Sequence, residues 1–342
     1  MPRYRVRDQI ARVGNIARMS LPVRVPLIAA PTQMHRLPRA SEDLGIDLWI
    51  KRDDLTGFAG GGNKGRKLEY LMADALAQDV DVIVSGGSTQ SNYLRQLSCA
   101  CSMFGIHCVG ATMRLPYVAA AGKPVGKKVS EGGNRVLDEM FGLEMRIFED
   151  DSFDVLKQHV TDIVAEFEAK GKRVMRLPNG GSTPLGAYAY FRAGQEADEQ
   201  CTEPFDYVVT PSSSGGTHAG LGYFYHGHPS HLIGISCDPD PGLVDVMAEL
   251  AQGLDSIVGG NLKMTPSDFD FRMEYYGPGY GVASDEGQAA MTYLHQKEGV
   301  LLDPVYTSKA FAGLLDLARK KEISGRVLFW HTGGLPTLFA TE

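Results

Sequence analysis

Three observations predict an α/β fold built on parallel sheet. Short apolar runs alternate with segments whose apolar residues recur at helical spacing. Residues 81–113 read as one strand–helix–strand unit. Val82, Ile83 and Val84 form the first strand, Leu94, Leu97, Cys101 and Phe104 share one face of the helix, and 107–113 is the second strand. Such a unit sets its strands parallel. Each later strand candidate runs into a loop rich in Gly, Ser or Thr. In chain order, strands are expected at 81–85, 107–113, 173–176, 207–210, 232–237 and 327–330. Helices are expected at 182–199, 216–226, 285–298 and 307–320, with a further one opening near Lys64, where Leu68, Leu71, Met72, Ala75 and Leu76 keep helical spacing.

A chain of 342 residues fits two domains and buries enough apolar surface to be stable without cross-links. Its 43% hydrophobic and 22% charged content is ordinary for a soluble globular protein. A net charge of −7 argues against nonspecific nucleic-acid binding. The five cysteines, Cys99, Cys101, Cys108, Cys201 and Cys237, contain no Cys-x-x-Cys pair, so neither a disulfide framework nor a zinc site is indicated. A reducing cytoplasm fits them best. No apolar run approaches the length of a membrane span. The N-terminal arginines are not followed by the apolar stretch of a secretory signal. His226, His228 and His231 cluster beside Pro229 after a helix end, a poor arrangement for a metal, and no metal is expected.

The chemistry concentrates in loops. Gly60-Gly61-Gly62-Asn63-Lys64 ends at the start of an amphipathic helix. A lysine in the first helical turn is electrostatically misplaced, because that end is already partly positive. The penalty vanishes when the amine is neutral or bound to a carbonyl, which is the state a nucleophilic lysine needs. A surface lysine beside a flexible turn is the plain alternative. Pro211-Ser212-Ser213-Ser214-Gly215-Gly216-Thr217 joins a strand to a helix, where successive N–H groups and hydroxyls make an anion site. Gly86-Gly87-Ser88-Thr89-Gln90-Ser91-Asn92 is a second such turn, readable simply as a glycine turn with an asparagine helix cap. Tyr306, before the helix at 307, and Tyr280, in Gly277-Pro278-Gly279-Tyr280-Gly281, are each readable as packing or turn residues. His331-Thr332-Gly333-Gly334 ends the last strand. Arg114, Lys123, Lys127 and Lys128 form a basic stretch, either a solvated face or a lid for an anionic substrate such as a sulfonate.

Taken together, Ile50-Lys51-Arg52-Asp53-Asp54-Leu55, Gly61-Gly62-Asn63-Lys64 and Arg66-Lys67-Leu68-Glu69 resemble the cofactor-lysine segment of a pyridoxal-phosphate family. It is the family of D-cysteine desulfhydrase, L-cysteate sulfo-lyase and 1-aminocyclopropane-1-carboxylate deaminase. The resemblance covers roughly 20–340 and is weaker over 114–130. It implies the type II pyridoxal-phosphate fold, with the cofactor between a larger domain of 1–61 plus 178–342 and a smaller one of 62–177, in a homodimer. It implies that Lys64 carries the cofactor and that Ser214, Gly215, Gly216 and Thr217 hold its phosphate. Asn92 would meet its 3′-oxygen, and Thr332 would lie by the pyridine ring, with His331 structural. Ser91, Gln90 and nearby N–H groups would hold the substrate carboxylate. Tyr306 and Tyr280 would face the substrate as acid, base or nucleophile.

Two departures from the family pattern carry meaning. Thr307 stands where the deaminase branch has an acidic residue. A hydroxyl by the pyridine nitrogen makes a weaker electron sink than a carboxylate does, which favours β-elimination over cyclopropane opening. Tyr93 replaces the usual His or Gln after Ser91-Asn92. It is expected to reshape the carboxylate side of the pocket and move substrate preference away from D-cysteine, or else merely to pack. The expected activity is β-elimination from a small β-substituted amino acid, giving pyruvate, ammonia and the released group. L-Cysteate desulfonation and cyclopropane deamination are the near alternatives. A β-replacement synthase or a cofactor-binding protein without catalysis are the distant ones.

Overall fold

The computed structural model describes residues 21–113, 131–149 and 153–341, so the basic stretch at 114–128 lies outside the described residues. The strands are β1 Met34–Arg36, β2 Asp47–Arg52, β3 Val82–Ser88, β4 His107–Met113, β5 Glu131–Gly132, β6 Glu144–Phe148, β7 Val174–Arg176, β8 Tyr207–Ser212, β9 His231–Ser236, β10 Asp270–Arg272, β11 Arg326–His331 and β12 Ala340–Thr341. The α-helices are α1 Pro38–Leu44, α2 Lys64–Ala77, α3 Asn92–Phe104, α4 Gly133–Met140, α5 Phe153–Ala169, α6 Pro184–Glu199, α7 Gly216–Tyr225, α8 Leu243–Val258, α9 Asp285–Glu298 and α10 Thr307–Arg319.

Two sheets carry the fold. A four-stranded sheet runs β6-β4-β3-β7 and is parallel throughout. A six-stranded sheet runs β1-β2-β11-β8-β9-β10, parallel except for the antiparallel edge pair β1–β2. The short β5 and β12 pair antiparallel.

Helices cover both faces of each sheet, which is why the strands read as continuous apolar runs rather than alternating ones. In β11, Val327 and Phe329 join one core with Leu314 and Leu317 of α10. Leu328 and Trp330, the intervening residues, join another with Tyr190 and Ala193 of α6. In β3, Ile83 packs toward Leu94 and Leu97 of α3, while Val82 and Val84 pack toward Leu156 and Val160 of α5. This two-residue alternation is strand geometry acting on a doubly buried sheet.

Element ends follow local chemistry. The helix expected from 182 begins instead at Pro184, because the Thr183 hydroxyl accepts from Gly186 N at 3.0 Å and a proline occupies the first helical turn. β8 runs on to Ser212. Its Pro211 lies beyond the stretch, 207–209, that pairs with β11, so its missing N–H breaks no ladder there. Among the described residues no helix is long and apolar enough to cross a membrane. His231 Nε2 meets Asp270 at 2.8 Å, and His228 Nδ1 accepts from Ser230 N at 3.0 Å, so both rings have partners.

Candidate active site

The C-terminal ends of β3, β8 and β11 open into a cavity of about 410 Å³, the place where parallel α/β sheets bind ligands. Its lining includes Lys64, Ser91, Asn92, Tyr93, Ser214, Gly215, Thr217, Tyr280, Tyr306 and Thr332. Ten predicted site residues thus converge from six separate chain segments. Gln90, Gly216 and Thr307 are not part of the lining.

Lys64 is the first residue of α2, and no side chain caps this helix. Burial lowers its amine from the ordinary lysine value to about 8. The neutral, nucleophilic form is then about a tenth of the total at pH 7, far more than for an ordinary lysine. The loop before it is glycine-rich by steric necessity. Gly61 has φ +82°, and a Cβ there would lie 1.9 Å from the Asp54 carbonyl oxygen. Asn63 N donates to Thr332 O at 2.9 Å, and Asn63 Nδ2 donates to Thr217 Oγ1 at 3.1 Å. One asparagine thereby ties the lysine loop to the residue after β11 and to the first turn of α7.

The turn into α7 has the attributes of a phosphate cradle. Its cap, Gly215, sits at φ +82° and supplies no side-chain bond to the helix N–H groups. A Cβ on Gly216 would come within 2.9 Å of both Lys67 Nζ and Ser182 Oγ. Gly216 thus stands behind the cavity surface, keeping room for those two groups. Lys67 is fully buried. Burial first, and then the Lys64 charge, lower its amine well below the ordinary value, and its one hydrogen bond goes to Gly180 O at 3.1 Å. A buried amine beside an uncapped helix start gathers donors suited to an anion. Ser182 Oγ donates to Ser214 Oγ at 3.0 Å and accepts from Gly216 N at 3.3 Å. Neither Lys67 nor Ser182 was singled out from the sequence as a site residue. Gly180-Gly181-Ser182-Thr183 after a strand is a third Gly/Ser turn of the same kind, and that signal would have found Ser182.

The cap of α3 is Ser91, not Asn92. Its Oγ accepts from Tyr93 N and Leu94 N, each at 3.2 Å. Those two N–H groups are therefore unavailable to a substrate carboxylate. The Ser91 hydroxyl proton remains free to donate. Gln90 is turned away from the cavity: its Nε2 donates to Gly132 O at 3.2 Å and its Oε1 accepts from Asn134 N at 2.9 Å. Tyr93 is 2% exposed and packs with Leu71, Leu97 and Leu177, so it is a core residue as well as part of the lining. Burial pushes its phenol well above the usual tyrosine range.

Tyr280 and Tyr306 form the opposite wall. Their hydroxyls are hydrogen-bonded and their rings meet edge-on, with centroids 5.8 Å apart. Burial, and for Tyr306 the neighbouring Tyr280, push both phenols up, so both are protonated at neutral pH. A bonded pair of phenols keeps one proton for a third party. Lys309, fully buried, donates to Gly279 O at 2.8 Å and so holds the Tyr280 loop.

The placement of Thr307 corrects the expectation from the family pattern. Its Oγ1 donates to Asp303 Oδ1 at 2.6 Å and accepts from Asp303 N at 2.8 Å. The same carboxylate takes the N–H groups of Val305, Tyr306 and Thr307. Thr307 thus closes the N-terminus of α10 beneath Tyr306 and is not turned to the cavity. At the end of β11, Thr332 lines the cavity instead, held by His331. His331 Nδ1 accepts from Gly333 N at 3.1 Å, so Nε2 is the donor to Leu301 O at 2.6 Å. Asp238, also in the lining, is pushed up by burial to about 6.

A buried amine, an uncapped helix start behind a hydroxyl-rich turn and an asparagine on the wall between them match the donor set a pyridoxal phosphate requires. Thr217 is the side chain most exposed to test. Thr217→Val keeps the shape and removes the hydroxyl, and it should weaken cofactor retention by about 1–2 kcal/mol, one hydrogen bond to a charged group. Equilibrium dialysis against wild type measures this, and unchanged retention would show the turn to be structural only.

Comparison with known proteins gives the same reading. The D-cysteine desulfhydrase of Klebsiella pneumoniae (strain 342) is 38% identical over 324 residues, 93% of this chain and 95% of the relative. That of Salmonella choleraesuis (strain SC-B67) is 39% identical over 327 residues, with the same coverage. Among solved structures, the crystal structure of an ACC deaminase homologue superposes with TM-score 0.84 at 33% identity, covering 93% of each chain. A threonine deaminase isoform of Solanum lycopersicum, at 14% identity and TM-score 0.62, shares the fold alone. The family profile described as pyridoxal-phosphate dependent enzyme matches residues 25–333. By that match, and by relatives of this similarity along nearly its whole length, the chain belongs to the pyridoxal-phosphate dependent enzymes and has their type II fold.

Proposed function

We propose that this enzyme catalyses β-elimination from D-cysteine or a close β-substituted amino acid, releasing pyruvate, ammonia and sulfide or the equivalent group. The observation that carries the proposal is the pairing of Lys64, with its lowered amine, and the protonated Tyr280–Tyr306 pair on one cavity. When bound, pyridoxal phosphate supplies the electron sink that makes the α-proton of an amino acid removable. The neutral Lys64 amine is the base that takes that proton. Ser91 offers its free hydroxyl proton to the substrate carboxylate. The phenol pair gives a proton to the departing sulfur, so that from D-cysteine it leaves as hydrogen sulfide and not as an anion. The similarity to D-cysteine desulfhydrases over 93% of the chain supports this choice of leaving group.

The division into a smaller domain of 62–177 and a larger one of 1–61 plus 178–342 belongs to the same proposal. It is supported by the four-stranded sheet drawing all its strands from 82–176. A cytoplasmic location is supported by five free cysteines. A homodimer is proposed on the family resemblance.

The test is product identity across D-cysteine, L-cysteate, β-chloroalanine of both hands, D-serine and 1-aminocyclopropane-1-carboxylate. Pyruvate and sulfide from D-cysteine, at the highest kcat/KM of the set, is the expected result. 2-Oxobutanoate from the cyclopropane amino acid at a higher kcat/KM would overturn it. A preference for another β-substituted alanine would keep the reaction and change the substrate, and the Tyr93 wall is then the first place to look.

A further inference from the structure

We infer that Asn134, outside the cavity, is a positioning residue that sets which end of the Asn92 amide meets the cofactor. The inference rests on the pyridoxal-phosphate reading and follows from donors and acceptors alone. An asparagine amide can present either its oxygen or its NH₂ group. Asn134 is fully buried in the first turn of α4, and its terminal amide lies 2.8 Å from the Gln90 carbonyl oxygen. A main-chain carbonyl only accepts, so the Asn134 atom facing it is Nδ2. The same Nδ2 lies 3.0 Å from the terminal amide of Asn92. The Asn92 atom that faces it must therefore accept, and is Oδ1. Arg95 Nη2, which can only donate, lies 3.5 Å from that same oxygen. Two donors thus hold Oδ1 on the protein side. Nδ2 has no acceptor among the described residues, and Asn92 lines the cavity.

The amide consequently enters the cavity as a donor. A donor facing the 3′-oxygen of the cofactor favours the ionised form of that oxygen, whereas a carbonyl there would favour the protonated form. A flipped Asn92 would set its NH₂ group against that of Asn134 and against a buried guanidinium, so that one N–H of each partner would face another donor. Gln90 makes the arrangement rigid. Its side chain bridges Gly132 O and Asn134 N, clamping the start of α4 to the turn that carries Asn92. Gln90 and Asn134 thus act as one bracket behind the cavity wall.

The test is an absorbance spectrum of the holoenzyme and its variants at one fixed pH. Asn134→Asp is nearly isosteric but faces Asn92 with an acceptor, which reverses the amide. Asn134→Ala only releases it. The visible band of the bound cofactor should lose intensity to the near-ultraviolet band in Asn134→Asp. At constant pH the ratio of the visible to the near-ultraviolet band should fall by about tenfold in Asn134→Asp, the equivalent of one pKa unit of differential interaction, and by less in Asn134→Ala. Asn92→Ala should remove the difference between Asn134→Asp and the parent, because the effect travels only through Asn92. Should Asn134→Asp prove insoluble, Asn134→Ala and Asn134→Ser carry the same comparison. Variants that are less stable but keep the wild-type band ratio would overturn the inference and leave Asn134 a packing residue. A wild-type protein with no visible band after incubation with pyridoxal phosphate would instead overturn the cofactor reading itself.

Discussion

Lys64→Ala should abolish the visible absorbance of lysine-bound pyridoxal phosphate and lower kcat by at least about 10³-fold, since it removes the covalent anchor and the base together. Borohydride should trap the cofactor on Lys64 in the wild type, and peptide mapping identifies the position. A label on Lys67, three residues on, would refute the assignment. The choice between the two lysines follows from their surroundings: Lys64 lines the cavity, whereas Lys67 is fully buried with its amine on Gly180 O. The pH dependence of capture is a second measurement on the same residue. Burial lowers the Lys64 amine to about 8 in the cofactor-free protein, so the attacking neutral form grows as pH rises. The rate of reconstitution should therefore climb up to about pH 8 and level off above it, well below the pH at which an ordinary lysine would do so. The unfolded chain binds the extra proton between about pH 8 and the ordinary lysine value, so in that window this group makes the apoprotein more stable as pH rises.

Asp53→Ala should be the most destabilising single change near the site, by about 3–5 kcal/mol, lowering the melting temperature by roughly 10 °C. Asp53 is fully buried. It accepts from Arg66 Nη2 at 2.8 Å and Nε at 3.0 Å, from the Tyr190 hydroxyl at 2.8 Å, from Trp330 Nε1 at 2.9 Å and from Thr32 Oγ1 at 2.9 Å. Its removal strands the Arg66 guanidinium and two aromatic donors in the interior. Burial by itself would raise this carboxyl, but the adjoining Arg66 overrides it and holds the group below the ordinary aspartate value. Its contribution is therefore complete above the unfolded value and is lost as pH falls through the lower folded one. Asp53→Asn keeps the shape and should lose less. Equal melting temperatures for wild type and Asp53→Ala would mean that Glu196 alone compensates Arg66.

The parts of this protein that were legible in its sequence are those governed by local rules. The strand at 107–113 and the helix at 285–298 coincide with β4 and α9, because apolar spacing and flanking turns decide them within a few residues. The Gly/Ser turns stood out because turn chemistry is local. β2 did not stand out as a strand. It ends in Lys51 and Arg52, and a buried lysine is tolerated there only because Glu196, 145 residues later, meets it at 2.6 Å. Asn134 lies 42 residues from Asn92, and Tyr190 lies 137 from Asp53, so nothing in either neighbourhood announces the pairing. Thr307 shows the reverse error. Its place in the motif suggested the cofactor ring, but an aspartate four residues earlier captures its hydroxyl. The family pattern set both Thr307 and Thr332 by the cofactor, and of the two only Thr332 lines the cavity.

The Lys-Arg-Asp-Asp run and the glycine loop after it also bear on how the enzyme meets its cofactor. Gly61 O receives Arg95 Nη2 and Gln96 Nε2, each at 3.0 Å, and Ala59 O receives Arg95 Nη1. Gly62 N donates to Asp53 O at 3.0 Å, and Gly62 O accepts from Thr56 Oγ1 at 3.1 Å. A stretch that composition alone would class as a flexible hinge is thus bonded on every side by the chain's own groups. Its glycines select a backbone shape and do not confer freedom. The conformational entropy of ordering this loop is lost when the chain folds, so little of the cofactor's binding energy is spent on ordering it. The fold itself therefore holds Lys64 in a preorganised socket.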